Sequence, residues 1–92
     1  MSKIRIVQLV WDKWNAEHIK KHNVAKSEIE EAISNVNAHR QGHSGRIVLI
    51  GRSGTRILAM VLRKIKPDQY YIVTARDADK NERRLLYEKE SK

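Results

Sequence analysis

The side chains whose types and spacing suit chemistry are two imidazoles on one helical stripe and a set of arginines at strand ends. His18 and His22 stand four residues apart, so they share a helix face, the arrangement that can hold a metal. The residue after the first histidine is Ile19, however, where a zinc hydrolase of that spacing carries its glutamate base. No third ligand follows at a useful spacing, and packing near Trp14 accounts for the pair better than a metal does. His22 is also suited to act alone as acid or base, because an imidazole exchanges its proton near neutrality.

Arginine suits phosphate because its planar fork donates paired hydrogen bonds and keeps its charge. Arg46 opens one predicted strand, Arg52 and Arg56 flank a predicted hairpin turn, and Arg76 closes the last strand. If the strand order brings Arg46, Arg56 and Arg76 together, they would hold an RNA phosphate or stabilise a phosphorane. Taken singly, each equally suits solubility or the protection of a sheet edge. Arg83 and Tyr87 share a face of the last helix. There Tyr87 covers the sheet, stacks on a base or donates a proton. Nothing reads as a nucleophile elbow or a dinucleotide fingerprint. Gly51-Arg52-Ser53-Gly54 is too short for a phosphate-cradling loop and leads into a strand.

The elements that must position these groups follow from hydrophobic periodicity and turn chemistry. Lys3 to Val10 reads as a first strand. Asp12 offers an N-cap for a helix from Lys13 to His22, and Asn23 tolerates the left-handed conformation that ends it. A second helix spans about Lys26 to Asn35, with Ile29, Ala32, Ile33 and Val36 on one stripe. Asn37 to Gly45 is polar and reads as a loop that carries Arg40. Strands are expected from Arg46 to Arg52 and from Thr55 to Ile65, joined through Ser53-Gly54. Lys66-Pro67-Asp68-Gln69 makes the next turn.

Tyr70 to Arg76 is the strongest strand signal, aromatic and β-branched. Simple alternation puts Tyr70, Ile72, Thr74 and Arg76 on one face. Asp79 with Glu82 forms a capping box for a final helix to about Glu90. The order β-α-α-β-β-β-α predicts an α+β domain with helices packed on a small antiparallel sheet.

Ninety-two residues fit one domain, and the 40% apolar content supports one modest core. With no cysteine, neither a disulfide framework nor a thiolate metal site is available. The N-terminal residues lack the apolar segment of a secretory signal, and no apolar run is long enough to span a bilayer. A soluble cytoplasmic protein is the simplest expectation.

Nineteen Lys and Arg against eleven Asp and Glu give a formal net charge of +8. Such an excess points to a polyanionic partner, nucleic acid or an acidic protein. The span from Arg40 to Lys66 contains no acid at all, while Glu28, Glu30 and Glu31 concentrate on the second helix. No recognition helix for a DNA groove is apparent. A small basic α+β domain that meets nucleic acid is the class these residues define.

In sequence order, the chain resembles the BrnT family, toxin components of bacterial type II toxin–antitoxin modules. The resemblance runs from Val10-Trp11-Asp12 with Trp14-Asn15, through His18-Ile19 with His22 and Val24, to Glu28 with Glu30-Glu31-Ala32. It continues in Arg46, Ile50-Gly51-Arg52, Arg56-Ile57-Leu58 and Thr74-Ala75-Arg76-Asp77-Ala78, and closes on Glu82-Arg83-Arg84 with Tyr87. It implies a fold similar to RelE-type ribonucleases and metal-independent cleavage of RNA that inhibits translation, with no cofactor. It also implies a BrnA-like ribbon-helix-helix antitoxin as partner, and contact with operator DNA only through that antitoxin.

Carried onto matching positions, Arg46, Arg56 and Arg76 hold the phosphate, and His22, Glu28 or Tyr87 moves the proton. Arg40, Arg52 and Arg83 are the expected further RNA contacts. A non-catalytic RNA- or partner-binding module of the same fold is the alternative.

Overall fold

The computed structural model describes residues 8–91. The expected first strand lies outside the described residues up to position 7, and its described part is β1, Gln8–Val10. A helix α1, Lys13–Lys20, follows at once because Asp12 caps it. The Asp12 carboxylate accepts from the Asn15 N–H at 2.9 Å, and the Asn15 side-chain oxygen accepts from the Asp12 N–H at 2.8 Å. The helix ends two residues sooner than its periodicity suggests. Lys21–Asn23 form a turn in which Asn23 has φ 57°, the left-handed conformation expected of it.

The helix α2, Lys26–Ser34, lays Ile29 and Ala32 against the sheet. Its apolar stripe stops short of Val36, which begins a strand. This is the main departure from the sequence reading. The expected loop Asn37–Gly45 is largely strand β2, Val36–Gln41, paired antiparallel with β3, Ile47–Ser53. An edge strand needs few apolar residues, since one side of its ladder and much of its surface face water. Here Ala38 is buried while His39, Arg40 and Gln41 are exposed. A single 3-10 turn, His43–Gly45, closes the hairpin, with Ser44 and Gly45 at positive φ.

The strands β4, Arg56–Lys66, and β5, Gln69–Asp77, complete the sheet, and α3, Lys80–Glu90, ends the chain. The β3–β4 turn is Gly54–Thr55, one residue later than expected. The strand order is β1-β5-β4-β3-β2, with β1 parallel to β5 and every other pair antiparallel. The fold is α+β, as expected. The sheet is mixed rather than antiparallel, and the element order gains a strand to become β-α-α-β-β-β-β-α.

Each face of the sheet carries its own core. On one, Ile19, Val24, Ile29 and Ala32 from α1, α2 and the turn between them meet Leu49, Leu58, Met60, Leu62 and Ile72. On the other, Leu86 of α3 packs with Ala38, Val48, Ile50, Ile57 and Ala59. Burying each large aliphatic side chain contributes about 1.5–3 kcal/mol, so this double packing stabilises a short chain. The helix α2 lies so close to β3 that a Cβ on Gly51 would fall 2.2 Å from the Ala32 carbonyl oxygen.

A β-bulge decides which face the end of β5 serves. Leu62 pairs with Ile72 but Val61 pairs with Thr74, which leaves Val73 as the extra residue. Alternation therefore breaks in mid-strand. Tyr70 and Ile72 belong to the α1–α2 side, whereas Thr74 and Arg76 face the α3 side, contrary to the single face that simple alternation predicts. Among the described residues, no helix is long and apolar enough to cross a membrane.

Candidate functional site

Arg56 and Arg76, two of the three expected phosphate ligands, are not neighbours. Arg56 opens β4 on the α1–α2 side, where acceptors surround its guanidinium. Its Nε donates to Asp77 Oδ1 at 2.7 Å, and its Nη1 donates to both Glu28 oxygens at 2.9 and 3.0 Å. The carbonyl of Asn23 accepts at 2.7 Å and that of His22 at 3.4 Å. The structure thus brings His22, Glu28 and Arg56 together, but as a clamp tying the α1–α2 turn to the end of β5. The Glu28 carboxyl is held below its usual range, first by the Ala25 backbone N–H and then by Arg56. A carboxylate so engaged is a poor base at neutral pH.

Arg76 projects from the opposite face onto Glu82 of α3. Its two terminal nitrogens donate to the two Glu82 oxygens at 2.6 and 2.9 Å, a bidentate pair. Arg40 of β2 adds a third bond at 2.9 Å, and the Asp79 N–H a fourth at 2.9 Å. Glu82 is only 3% exposed. Burial pushes its pKa up, yet Arg76, the Asp79 N–H and Arg40 together bring it down to about 2.

Arg52 is likewise engaged. It forks onto Glu90 at 2.6 and 2.8 Å, with the half-exposed Tyr87 ring 6.0 Å away. Arg83 is exposed and donates to the Ala78 carbonyl at 3.0 Å.

Arg46 has a different environment. Extending the Ile47–Leu62 pairing by one step sets Arg46 beside Arg63, and Arg63 in turn pairs with Tyr71. The row crosses three strands at one end of the sheet, on the α3 side. Because α3 packs chiefly over β2 and β3, this part of the face stays open. There Asp12, Trp14, His18, Arg46, Arg63, Tyr71, Val73 and Thr74 line a cleft of about 460 Å³. The bulge serves the cleft directly, since Tyr71, Val73 and Thr74 all contribute to one wall.

Neither Arg46 nor Arg63 forms an ion pair among the described residues. The Arg63 guanidinium rests 5.2 Å from the Tyr71 ring centroid. Tyr71 donates to the Asp12 carboxylate at 3.0–3.1 Å; burial first, then that bond, raises its pKa. The carboxylate in the cleft is therefore committed to Tyr71 and the Asn15 N–H. Two other polar atoms of the lining are not committed. His18 Nδ1 and Thr74 Oγ1 are buried without a hydrogen-bond partner, each a cost of about 1–3 kcal/mol. Trp14 stands 64% exposed at the rim, its ring 5.1 Å from that of His18.

Arg63, Tyr71 and Thr74 were not legible as a site, because their signal is the cross-strand register, which a linear pattern does not supply. His18 was singled out only with His22, as a metal ligand or a packing residue. The His18 and His22 rings meet edge to face at 5.5 Å. Among the described residues, no group of three or more His, Cys, Asp or Glu side chains is placed to hold a metal ion. Compared with family models, curated proteins and solved structures, the chain matches none.

Proposed function

We propose that this chain is a metal-independent endoribonuclease, the toxin of a BrnT-like type II toxin–antitoxin module acting in the cytoplasm. The observation that carries the reading is that Arg46 and Arg63 line one cleft with His18, with no carboxylate bound to either guanidinium among the described residues. In such a reaction the ribose 2′-oxygen loses its proton and bonds to the adjacent phosphorus. The bond from phosphorus to the 5′-oxygen breaks, and that oxygen takes up a proton, leaving a 2′,3′-cyclic phosphate and a 5′-hydroxyl. Arg46 and Arg63 stabilise the charge that builds on the phosphoryl oxygens. His18 is the group placed for proton transfer, a role worth typically 10²–10⁴-fold.

This moves the proposed chemistry away from Arg56, Arg76, His22, Glu28 and Tyr87, and retains Arg46. Induced expression is expected to arrest growth and to yield cyclic-phosphate RNA ends, and Arg46→Ala with Arg63→Ala to abolish both. Arrest undiminished in that double variant would sink the assignment.

A BrnA-like acidic antitoxin is the proposed partner, with operator DNA reached only through it. Association with a chain of charge +8 should slow as salt rises. The second reading, a basic RNA-binding module without chemistry, draws support from the ion pairs that occupy Arg52, Arg56 and Arg76. It predicts salt-sensitive RNA binding with no new RNA ends.

A further inference from the structure

Trp14 and His18 line the arginine cleft, and the same two residues also line a second concavity of about 390 Å³ with Lys13, Glu17 and Lys21. They form a shared wall, an aromatic ridge with two guanidinia on one side and two ammonium groups on the other. The Trp14 indole is far more exposed than packing requires, whereas Trp11, three residues earlier, is packed against the core and covered by Lys26 at 5.0 Å. The helix thus presents one tryptophan outward at the edge of a cationic cleft. Its contact with His18 is T-shaped rather than stacked, centroids 5.1 Å apart at 71°, and the indole remains 64% exposed.

Resting on the ribonuclease reading, we propose that this ridge is a stacking platform for unpaired bases, and that the substrate is therefore single-stranded RNA. A base can lie on Trp14 only if its π-face is free, and in a duplex both faces are covered by neighbouring pairs. With a base on the indole, its phosphate reaches Arg46 and Arg63. The next nucleotide lies across the ridge beside Lys13 and Lys21. Stacking selects for strandedness and tolerates any base, while the arginines supply the charge.

The test uses a short oligouridylate whose 2′-hydroxyls are methylated, which blocks attack by the 2′-oxygen, titrated into the full chain while tryptophan emission is followed. The single strand should quench emission, and the same strand annealed to its oligoadenylate complement should bind more weakly. Trp14→Phe should bind with the quench lost, and Trp11→Phe should bind with the quench kept. Trp14→Ala should weaken binding by about 5- to 150-fold, with an unchanged thermal midpoint as the folding control. Equal affinity for the duplex, a quench that survives Trp14→Phe, or parental affinity in Trp14→Ala would overturn the platform. In those cases, weakened binding by Arg46→Ala and Arg63→Ala leaves the RNA reading standing while the ridge falls. If neither single strand nor duplex binds, both readings fall together.

Discussion

Arg56 and Arg76 sit on neighbouring strands but on opposite faces of the sheet, one clamped to Glu28 and Asp77, the other to Glu82. Both guanidinia are already neutralised by carboxylates, and each fastens a different helix. Their like positions at strand ends hide this separation. The arginines left for an external anion in the cleft are Arg46 and Arg63.

These two arginines should govern activity without governing stability. Arg46→Ala or Arg63→Ala is expected to lower the cleavage rate by about 10²–10³-fold, the scale of losing one charge-stabilising donor. The unfolding free energy in urea should shift by less than about 0.5 kcal/mol, as for surface changes outside any network. A large loss of stability in either variant would mean that the arginine is structural.

Arg76→Ala should behave in the opposite way. It leaves a nearly buried Glu82 with one arginine instead of two. Removing one partner of a buried ion pair costs about 3–5 kcal/mol, and the surviving Arg40 bond puts the expectation at the low end. Chemical denaturation should report that loss. Any fall in activity should track the unfolded fraction and be relieved by Arg76→Lys only in part, since an ammonium cannot reproduce the bidentate fork.

Stability should fall in acid through the same carboxylate. Its folded pKa of about 2 lies below the ordinary 4.5, so the unfolded chain binds more protons between those values. The stabilisation is therefore complete above about pH 5 and is lost as pH drops towards 2, an effect of about 3 kcal/mol at most. Glu28 and Asp77 are depressed in the same direction by their bonds and add to it. Midpoints measured down this range in Glu82→Gln should show a shallower decline than in the parent.

Gly51→Ala tests the packing of α2 on the sheet. The new methyl would overlap the Ala32 carbonyl oxygen, a backbone atom that cannot swing away. A loss of more than about 3 kcal/mol, or failure to fold, is expected, beyond the usual 1–3 kcal/mol of core overpacking. Gly54→Ala, with nothing near its Cβ but a φ of 61°, should cost about 1–2 kcal/mol through backbone strain alone.

Local chemistry was legible; register was not. The caps at Asp12 and Asp79, the left-handed Asn23 and the turn at Pro67–Asp68 were all readable because each depends on a few adjacent residues. The strand β2 escaped notice because its pattern is that of a solvated edge, with Ala38 its main buried anchor. The face of Arg76 was misread because one bulged valine reverses the alternation. The cleft went unrecognised for a related reason: Arg46 just before β3, Arg63 of β4 and Tyr71 of β5 meet only once those strands are aligned. His18 looked like a packing residue, and only the unpartnered nitrogen on its ring distinguishes it.

The bulge at Val73 means that β5 is written in two reading frames. Before it, even-numbered positions serve the α1–α2 core; after it, they serve the α3 side and odd-numbered Ala75 takes over the core. One strand thereby addresses both layers of the molecule in turn, as a zipper does when it skips a tooth. Excising this single residue would restore uninterrupted alternation while leaving Ile72, Thr74 and Arg76 on the faces they already serve, so what the molecule would lose is the extra valine in the wall of the cleft.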